Sequence, residues 1–176
     1  MASASLKYTD TTDRAFGLCG MALALYIFDA EKYIDAICLD APADFGMRLT
    51  PDFFTPVNPG LSVKNVWTSS FRHFQLTSAM VIGNLLARSL GRRQSDLSNE
   101  VRSLMLEHLT REGEDSCGLD SSEVEQICDN SFSYLRRLLS HPAVNSAVCG
   151  MARDLTGRQT LSRDEILTHL MPLSRL

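Results

Sequence analysis

Several residues and patterns that mark particular protein classes are scarce in this sequence, and each shortage excludes a class. Only three of the 17 basic residues are lysines, and no glycine-rich run precedes any of them, which excludes a phosphate-binding loop. The five cysteines include no pair separated by two residues, and their number is odd, so a zinc ribbon and a complete disulfide framework are excluded. We expect buried, free thiols and therefore a reducing, cytoplasmic location.

The longest apolar run is too short to cross a membrane. It covers 13 residues, 16–28 (FGLCGMALALYIF), whereas a membrane-spanning helix needs about 20. Asp10 and Asp13 precede it at positions where a signal peptide carries positive charge, and no small-residue cleavage pattern follows it. The sequence thus predicts neither a membrane span nor a signal peptide.

Positive charge is too dispersed to favour a nucleic-acid partner. Residues 1–60 carry four basic residues against eight carboxylates, and the formal net charge is −4, whereas phosphate neutralisation needs a concentrated basic surface. The one basic cluster, Arg88, Arg92 and Arg93, lies near a predicted helix end, where cations interact favourably with the C-terminal helix dipole. A phosphate site is the alternative interpretation of this cluster.

Patterns that indicate catalysis or metal binding are also missing. The four histidines are scattered singly, without a second histidine one helical turn away. No glycine-flanked nucleophile and no Glu-x-x-His spacing occurs. We therefore predict no catalytic, cofactor-binding or metal-binding residues, and an enzyme assembled from scattered residues remains an alternative.

Helical periodicity is the pattern that the sequence does contain. Apolar residues recur at spacings of three and four almost throughout, whereas period-two alternation is nearly absent, which predicts an all-α, single-domain bundle of about six helices over 1–176. In the first segment, Gly17 and Gly20 would let another helix approach closely. The predicted helical segments cover about 12–40 and 62–90, a third from Leu97 closed by the acidic glycine-containing stretch REGEDSCG, and three later ones marked by residues 124–138, 142–151 and 163–170.

Aromatic residues form two notable groups. Trp67, Phe71 and Phe74 have helical spacing in the second long segment, and we interpret them as a core ridge, with a ligand-binding ridge as the alternative. The proline-rich stretch 41–61 holds four of the six prolines and predicts a loop with a short turn at TPDFF. Between residues 45 and 61, Phe53, Phe54 and Val57 either form a contact surface or tuck back against the long helix.

Two acidic segments, 112–123 and 154–165, form a weak repeat at an offset of 42 residues, within a possible helix-loop-helix repeat over 97–172. Both resemble EF-hand loops, in which a 12-residue loop supplies oxygen ligands from positions 1, 3, 5, 7, 9 and 12. The resemblance implies calcium ligands at Glu112, Glu114, Ser116, Gly118 (carbonyl), Asp120 and Glu123, and at Asp154, Thr156, Thr160 (carbonyl), Ser162 and Glu165. The segments depart from the family at position 6, which is Cys117 or Gln159 instead of glycine, and at Arg158.

The same segments also fit a helix start that needs no metal. Asp120 with Glu123, and Ser162 with Glu165, have the spacing of a capping box, in which each side chain accepts from the other residue's backbone amide. Apolar residues flank both pairs, as in a hydrophobic staple.

Taken together, these patterns favour a non-enzymatic helical module that acts through contacts with a protein partner or a second copy of itself. A calcium-responsive regulator with degenerate EF-hand-like loops is one alternative, and a helical enzyme is another. The sequence leaves open whether a small molecule binds.

Overall fold

The computed structural model describes residues 6–42, 46–55, 62–94 and 97–175. Within those ranges the fold is all-α, as predicted, with a small three-stranded sheet added. The helices there are α1 (Thr11–Ile27), α2 (Pro51–Phe54), α3 (Val63–Gly91), α4 (Asn99–Cys117), α5 (Ser121–Leu139), α6 (Pro142–Arg158) and α7 (Arg163–Leu170). The strands are β1 (Ile34–Cys38), β2 (Met47–Leu49) and β3 (Thr160–Ser162), and Glu31–Tyr33 and Met171–Arg175 form 3-10 turns.

Helices α1 and α3 pack against each other at the centre of the core, and glycines set their distance. A Cβ atom added at Gly20 would lie 2.1 Å from the carbonyl oxygen of Gly83, and one added at Gly83 would lie 2.4 Å from that of Gly20. A Cβ at Gly17 would meet the side chain of Asn84, also on α3, at 2.7 Å. The prediction that Gly17 and Gly20 allow a close helix approach is confirmed.

The prediction of one helical region over residues 12–40 is wrong beyond Ile27. After α1 the chain turns at Asp29, whose φ is 54°, and residues 34–38 form the central strand of the sheet. Strand β1 pairs antiparallel with β2 on one side and with β3, more than 120 residues further along the chain, on the other. Ile34 and Ile37 are fully buried, and a short apolar run of this kind fits a strand as well as a helix.

The later helices match the predicted segments closely, with one correction. The glycine-containing stretch REGEDSCG was expected to close the third helix, but α4 continues through it to Cys117. Gly113 is buried, and a Cβ there would lie 2.7 Å from a methyl group of Val124 on α5. The lack of a side chain at Gly113 therefore lets α4 and α5 pack closely. Gly118, with a φ of 65°, ends the helix in the left-handed conformation that glycine adopts readily.

The proline-rich stretch is more ordered than the predicted loop where the structure describes it. The predicted turn at TPDFF is present as α2, with Pro51 in its first turn, and β2 precedes it. Phe45, Val57, Pro56 and Pro59 lie outside the described residues. The packing of α2 places Phe53 and Phe54 beside the N-terminal half of α3.

Candidate functional site

The first acidic segment does not have the geometry of an EF-hand loop. Residues 112–117 belong to α4, so Glu112, Glu114 and Ser116 project from every second position of a helix instead of surrounding a centre. The hydroxyl of Ser116 donates to the backbone carbonyl of Glu112, and Glu112 accepts a 3.2 Å hydrogen bond from Thr77. The ligand geometry that the resemblance implied is therefore not present in this segment.

The second acidic segment is also mainly helical. Asp154 and Thr156 lie in α6, and the carboxylate of Asp154 is 3.1 Å from Nε2 of His169 on α7. Arg158 forms an ion pair with Glu165, the residue that would be the bidentate ligand. Strand β3, which contains Thr160, pairs with β1 and not with the first segment.

Both predicted capping boxes are present. The carboxylate of Asp120 accepts from the amides of Ser122 and Glu123 at 2.9 Å, and Glu123 accepts from the amide of Asp120. The hydroxyl of Ser122 and the amide of Glu123 lower the pKa of Asp120.

At the start of α7, Glu165 accepts from the amide and the hydroxyl of Ser162, and these bonds lower its pKa. The acidic side chains at the starts of α5 and α7 thus accept hydrogen bonds from backbone amides at the N-terminus of the same helix. Within the described ranges no group of three or more His, Cys, Asp or Glu side chains is placed to hold a metal ion.

We expect Asp120→Ala to lower the melting temperature by roughly 2–4 °C, because α5 loses its N-cap acceptor. We also expect millimolar calcium to leave the melting temperature of the wild-type chain unchanged. Thermal denaturation followed by circular dichroism, with chelator and calcium compared, measures both effects. Asp115→Ala is the matched control, since Asp115 lies in the last turn of α4, where a carboxylate does not help the helix dipole. A calcium-induced rise in melting temperature that Glu123→Gln abolishes would revive the EF-hand interpretation.

Two arginines of the basic cluster, Arg88 and Arg92, pair with the buried carboxylate of Asp13, whereas Arg93 is exposed. The guanidinium of Arg88 contacts the carboxylate of Asp13 at 2.9 Å, and Arg92 contacts the same carboxylate at 2.7 Å. Burial raises the pKa of Asp13, but hydrogen bonds from both arginines and from the amide of Thr9 outweigh it, so the net pKa is lowered. Asp13 was not identified from the sequence as a partner of these arginines, because it lies 75 residues from Arg88.

The cysteine thiols are buried, as predicted, at four of the five positions. All five cysteines are free; Cys19, Cys38, Cys117 and Cys128 are buried, and Cys149 is partly exposed. Burial raises the pKa of Cys19, and burial with the nearby charges of Asp129 and Glu125 raises the pKa of Cys128 to about 12. These two thiols are therefore poor nucleophiles at neutral pH.

Exposed apolar side chains concentrate beside α2 and at the start of α3. Phe54 is 68% exposed, Val63 is 88% exposed, and Val66 and Trp67 are each nearly half exposed. The side chains of α3 from Val63 to Thr68 are all exposed, so the described parts of the chain cover the first turns of this helix poorly.

A cleft of about 310 Å³ separates α2 from α3 beside these side chains. The rings of Tyr33, Phe53 and Phe54 line one side, and α3 contributes Ser70, His73 and Leu76 on the other. The imidazole of His73 packs on the ring of Phe53 with 4.6 Å between their centroids. We call this cleft together with Phe54, Val63, Val66 and Trp67 the α2–α3 surface.

The predicted aromatic ridge runs from the core to this surface. Phe74 is buried, Phe71 is half-buried, and Trp67 stacks on Phe71 with 5.0 Å between ring centroids. The indole N–H of Trp67 donates to the backbone carbonyl of Cys117 at the end of α4. The core interpretation is correct for Phe74 and wrong for Trp67, which is held rigidly at the surface.

The sequence left open whether Phe53 and Phe54 pack against the long helix or remain at the surface, and the two residues differ in this respect. Phe53 tucks against Tyr33 and His73 and is buried, whereas Phe54, the next residue, points to solvent. The helical turn of α2 sends adjacent side chains in different directions, so one residue serves the core and its neighbour the surface.

In the part of the chain that the structure describes, no helix combines the length and hydropathy that crossing a membrane requires. Comparison of the sequence with known protein families and with curated proteins found no match.

Proposed function

We propose that this chain is a non-enzymatic helical module that acts by binding another protein chain through the α2–α3 surface. One observation supports the proposal above all others. Of the seven large hydrophobic side chains that are exposed among the described residues, four lie on α2 and the first turns of α3: Phe54, Val63, Val66 and Trp67. Exposed apolar patches of this kind mark sites of protein association.

The pattern along α3 supports the same proposal. Val63, Val66 and Trp67 occupy one face of the helix, and Phe74 continues that face two turns later in the core. The end of this apolar stripe that extends beyond the core is exposed to water. It therefore lacks the free energy of burial, which is about 1.5–3 kcal/mol for each large apolar side chain. A bound protein would cover this end of the stripe.

The state of Trp67 also suits a binding role. Its ring is stacked on Phe71 and its N–H is bonded to Cys117, so little conformational freedom remains to be lost on association. Tryptophan is among the residues that most often carry the binding energy of an interface. The calcium alternative has no comparable feature within the described ranges, where no group of His, Cys, Asp or Glu side chains is placed to hold a metal ion.

Site-specific photo-crosslinking in cells that naturally express the protein tests the proposal. A photoreactive phenylalanine analogue at position 54 is expected to form an adduct with a protein chain, because this side chain lies on the proposed contact surface. The same analogue at Met171, which is 63% exposed but far from α2 in the sequence, is the matched control and is expected to give no adduct. Equal labelling at both positions, or none at position 54, would refute the proposal.

A further inference from the structure

We infer that the junction between α5 and α6 is a pH-sensitive switch, in which protonation of the His141 imidazole releases the first turn of α6. The inference does not depend on the proposed function, because the junction lies outside the α2–α3 surface. It is carried by one hydrogen bond that only a neutral imidazole can make, and by the charges around that bond.

His141 is the N-cap residue of α6, and its ring supplies the acceptor at the start of that helix. Nδ1 accepts a 3.3 Å hydrogen bond from the backbone amide of Ala143. Pro142, between the two, has no amide hydrogen, so Ala143 carries the first amide of the helix. An amide can donate to Nδ1 only when this nitrogen has a free lone pair, which places the hydrogen of the neutral ring on Nε2.

Protonation of the ring removes this cap. An imidazolium carries a hydrogen on both nitrogens and has no acceptor, so the bond from Ala143 is lost. The new positive charge also lies at the N-terminus of α6, where the helix dipole disfavours cations. The side chain of His141 is exposed, so protons reach it without a change in the fold. Both effects therefore weaken the start of α6 when the pH falls.

The neighbouring charges on α5 and α6 do not compensate for this loss. The last turn of α5 carries Arg136 and Arg137, and α6 has no charged residue before Arg153. The α3 side chains that line the cleft at the junction are uncharged; they are Leu86, Ser89, Leu90 and Gln94. A protonated His141 thus has cations, and no carboxylate, as its nearest charged neighbours along the chain.

The other helices packed against α6 use their charges elsewhere. The two charged residues of α1 lie at its start, where Asp13 pairs with Arg88 and Arg14 donates to backbone carbonyls. Helix α7 meets the C-terminal half of α6, where His169 lies 3.1 Å from Asp154. Within the described residues, no carboxylate forms an ion pair with His141.

The turn that this cap holds is part of the core packing. Val144, in the first turn of α6, is 1% exposed and belongs to the hydrophobic core. Asn145 follows it and lines the cleft between α3, α5 and α6. A looser first turn therefore weakens the packing of α6 where it meets the ends of α3 and α5.

Thermal denaturation of wild-type, His141→Asn and His141→Ala chains at about pH 7.5 and about pH 5.5, on either side of the usual histidine titration, tests the inference. Asparagine caps a helix and does not titrate, whereas alanine has no side-chain acceptor at either pH. From the higher to the lower pH, we expect the wild-type melting temperature to fall by about 2–4 °C relative to His141→Asn. The difference between His141→Asn and His141→Ala should stay constant. All other titrating groups are common to the three chains.

NMR spectroscopy of the isotope-labelled chain reports on the bond itself. The amide proton resonance of Ala143 should move upfield as His141 is protonated, because the amide loses its acceptor. His141→Asn should abolish this titration. The matched control is His108→Asn, since His108 is also exposed but lies within α4 and caps no helix. This control should leave both the melting difference and the Ala143 titration unchanged.

Two results would overturn the inference. In the first, the wild-type chain and His141→Asn show the same pH dependence of the melting temperature, or the Ala143 amide does not titrate. In the second, the wild-type chain follows His141→Ala at both pH values, which would mean that the imidazole does not cap α6 at neutral pH. Photo-crosslinking at position 54 examines a different surface, so the proposed function can fail or stand independently of these results.

Discussion

Replacing Arg88 with methionine is expected to lower the free energy of unfolding by about 3–5 kcal/mol, the cost of breaking a buried ion pair by removing one partner. The Arg88 side chain is only 3% exposed and contacts both carboxylate oxygens of Asp13. Methionine is apolar and has no donor, so within the described residues the carboxylate would keep only the bonds from Arg92 and Thr9.

The effect extends to the N-terminal segment, because Arg88 also holds that segment in place. Its guanidinium donates to the carbonyl of Leu6 at 2.8 Å and to that of Lys7 at 2.7 Å. It also lies over the ring of Tyr8 with 4.9 Å to the centroid. Loss of Arg88 is therefore expected to expose residues 6–9 to proteolysis in addition to destabilising the core.

Urea denaturation of the wild-type, Arg88→Met and Arg93→Met chains measures the effect. Arg93 is the matched control, since it belongs to the same basic cluster but is exposed. We expect its replacement to change the free energy of unfolding by less than about 0.5 kcal/mol. Similar losses in both variants would mean that general charge, and not the buried pair, accounts for the stability.

The pH dependence of stability gives a second measurement of the same network. Because the folded pKa of Asp13 is lowered, the charged network contributes its full stability above the unfolded pKa, which is about 4 for aspartate. That contribution is lost as pH falls below this value and through the folded pKa. In Asp13→Asn, whose side chain does not titrate, stability should vary less with pH over the same acidic range.

Replacing Gly20 with alanine is expected to lower the free energy of unfolding by about 3 kcal/mol, at the upper end of the range for an overpacked core. The added methyl group would lie 2.1 Å from the carbonyl oxygen of Gly83 and 2.6 Å from the Cβ of Ala87. Neither neighbour is the end of a flexible side chain, so α1 and α3 would have to separate. The loss exceeds the gain of about 1 kcal/mol that alanine brings to a helix interior.

Gly157→Ala on α6 is the matched control, because it makes the same substitution within a helix where nothing lies within 4 Å of the added Cβ. We expect this variant to be more stable than the wild type by up to about 1 kcal/mol. Thermal and urea denaturation of the two variants should therefore give changes of opposite sign. Stabilisation by Gly20→Ala would show that the helix crossing is looser than its geometry indicates.

The sequence alone determined the features that depend on residues close together along the chain. The capping boxes at Asp120 and Ser162, the helix that begins at Pro142, and the small residues at Gly17 and Gly20 all follow from spacings of a few residues. A capping box joins residues three apart, so no distant part of the fold is needed to form it. The same local rule explains why the acidic segments begin helices rather than form EF-hand loops.

Only the tertiary structure decided the features that depend on distant residues. Residues 34–38 became a strand because Leu161 and Met47 pair with Ile37 from two other parts of the chain. Arg88, in the basic cluster near the end of α3, became part of a core ion pair because the α1–α3 crossing brings Asp13 to it.

The α2–α3 surface shows the same division most clearly. The sequence predicted that Phe53 and Phe54 either form a contact surface or pack against the long helix, and it predicted Trp67 as part of a core ridge. The packing of α2 against α3 buried Phe53 and left Phe54 and Trp67 exposed. Whether an apolar side chain is buried depends on which distant elements of the chain pack against it, and the local sequence does not specify those elements.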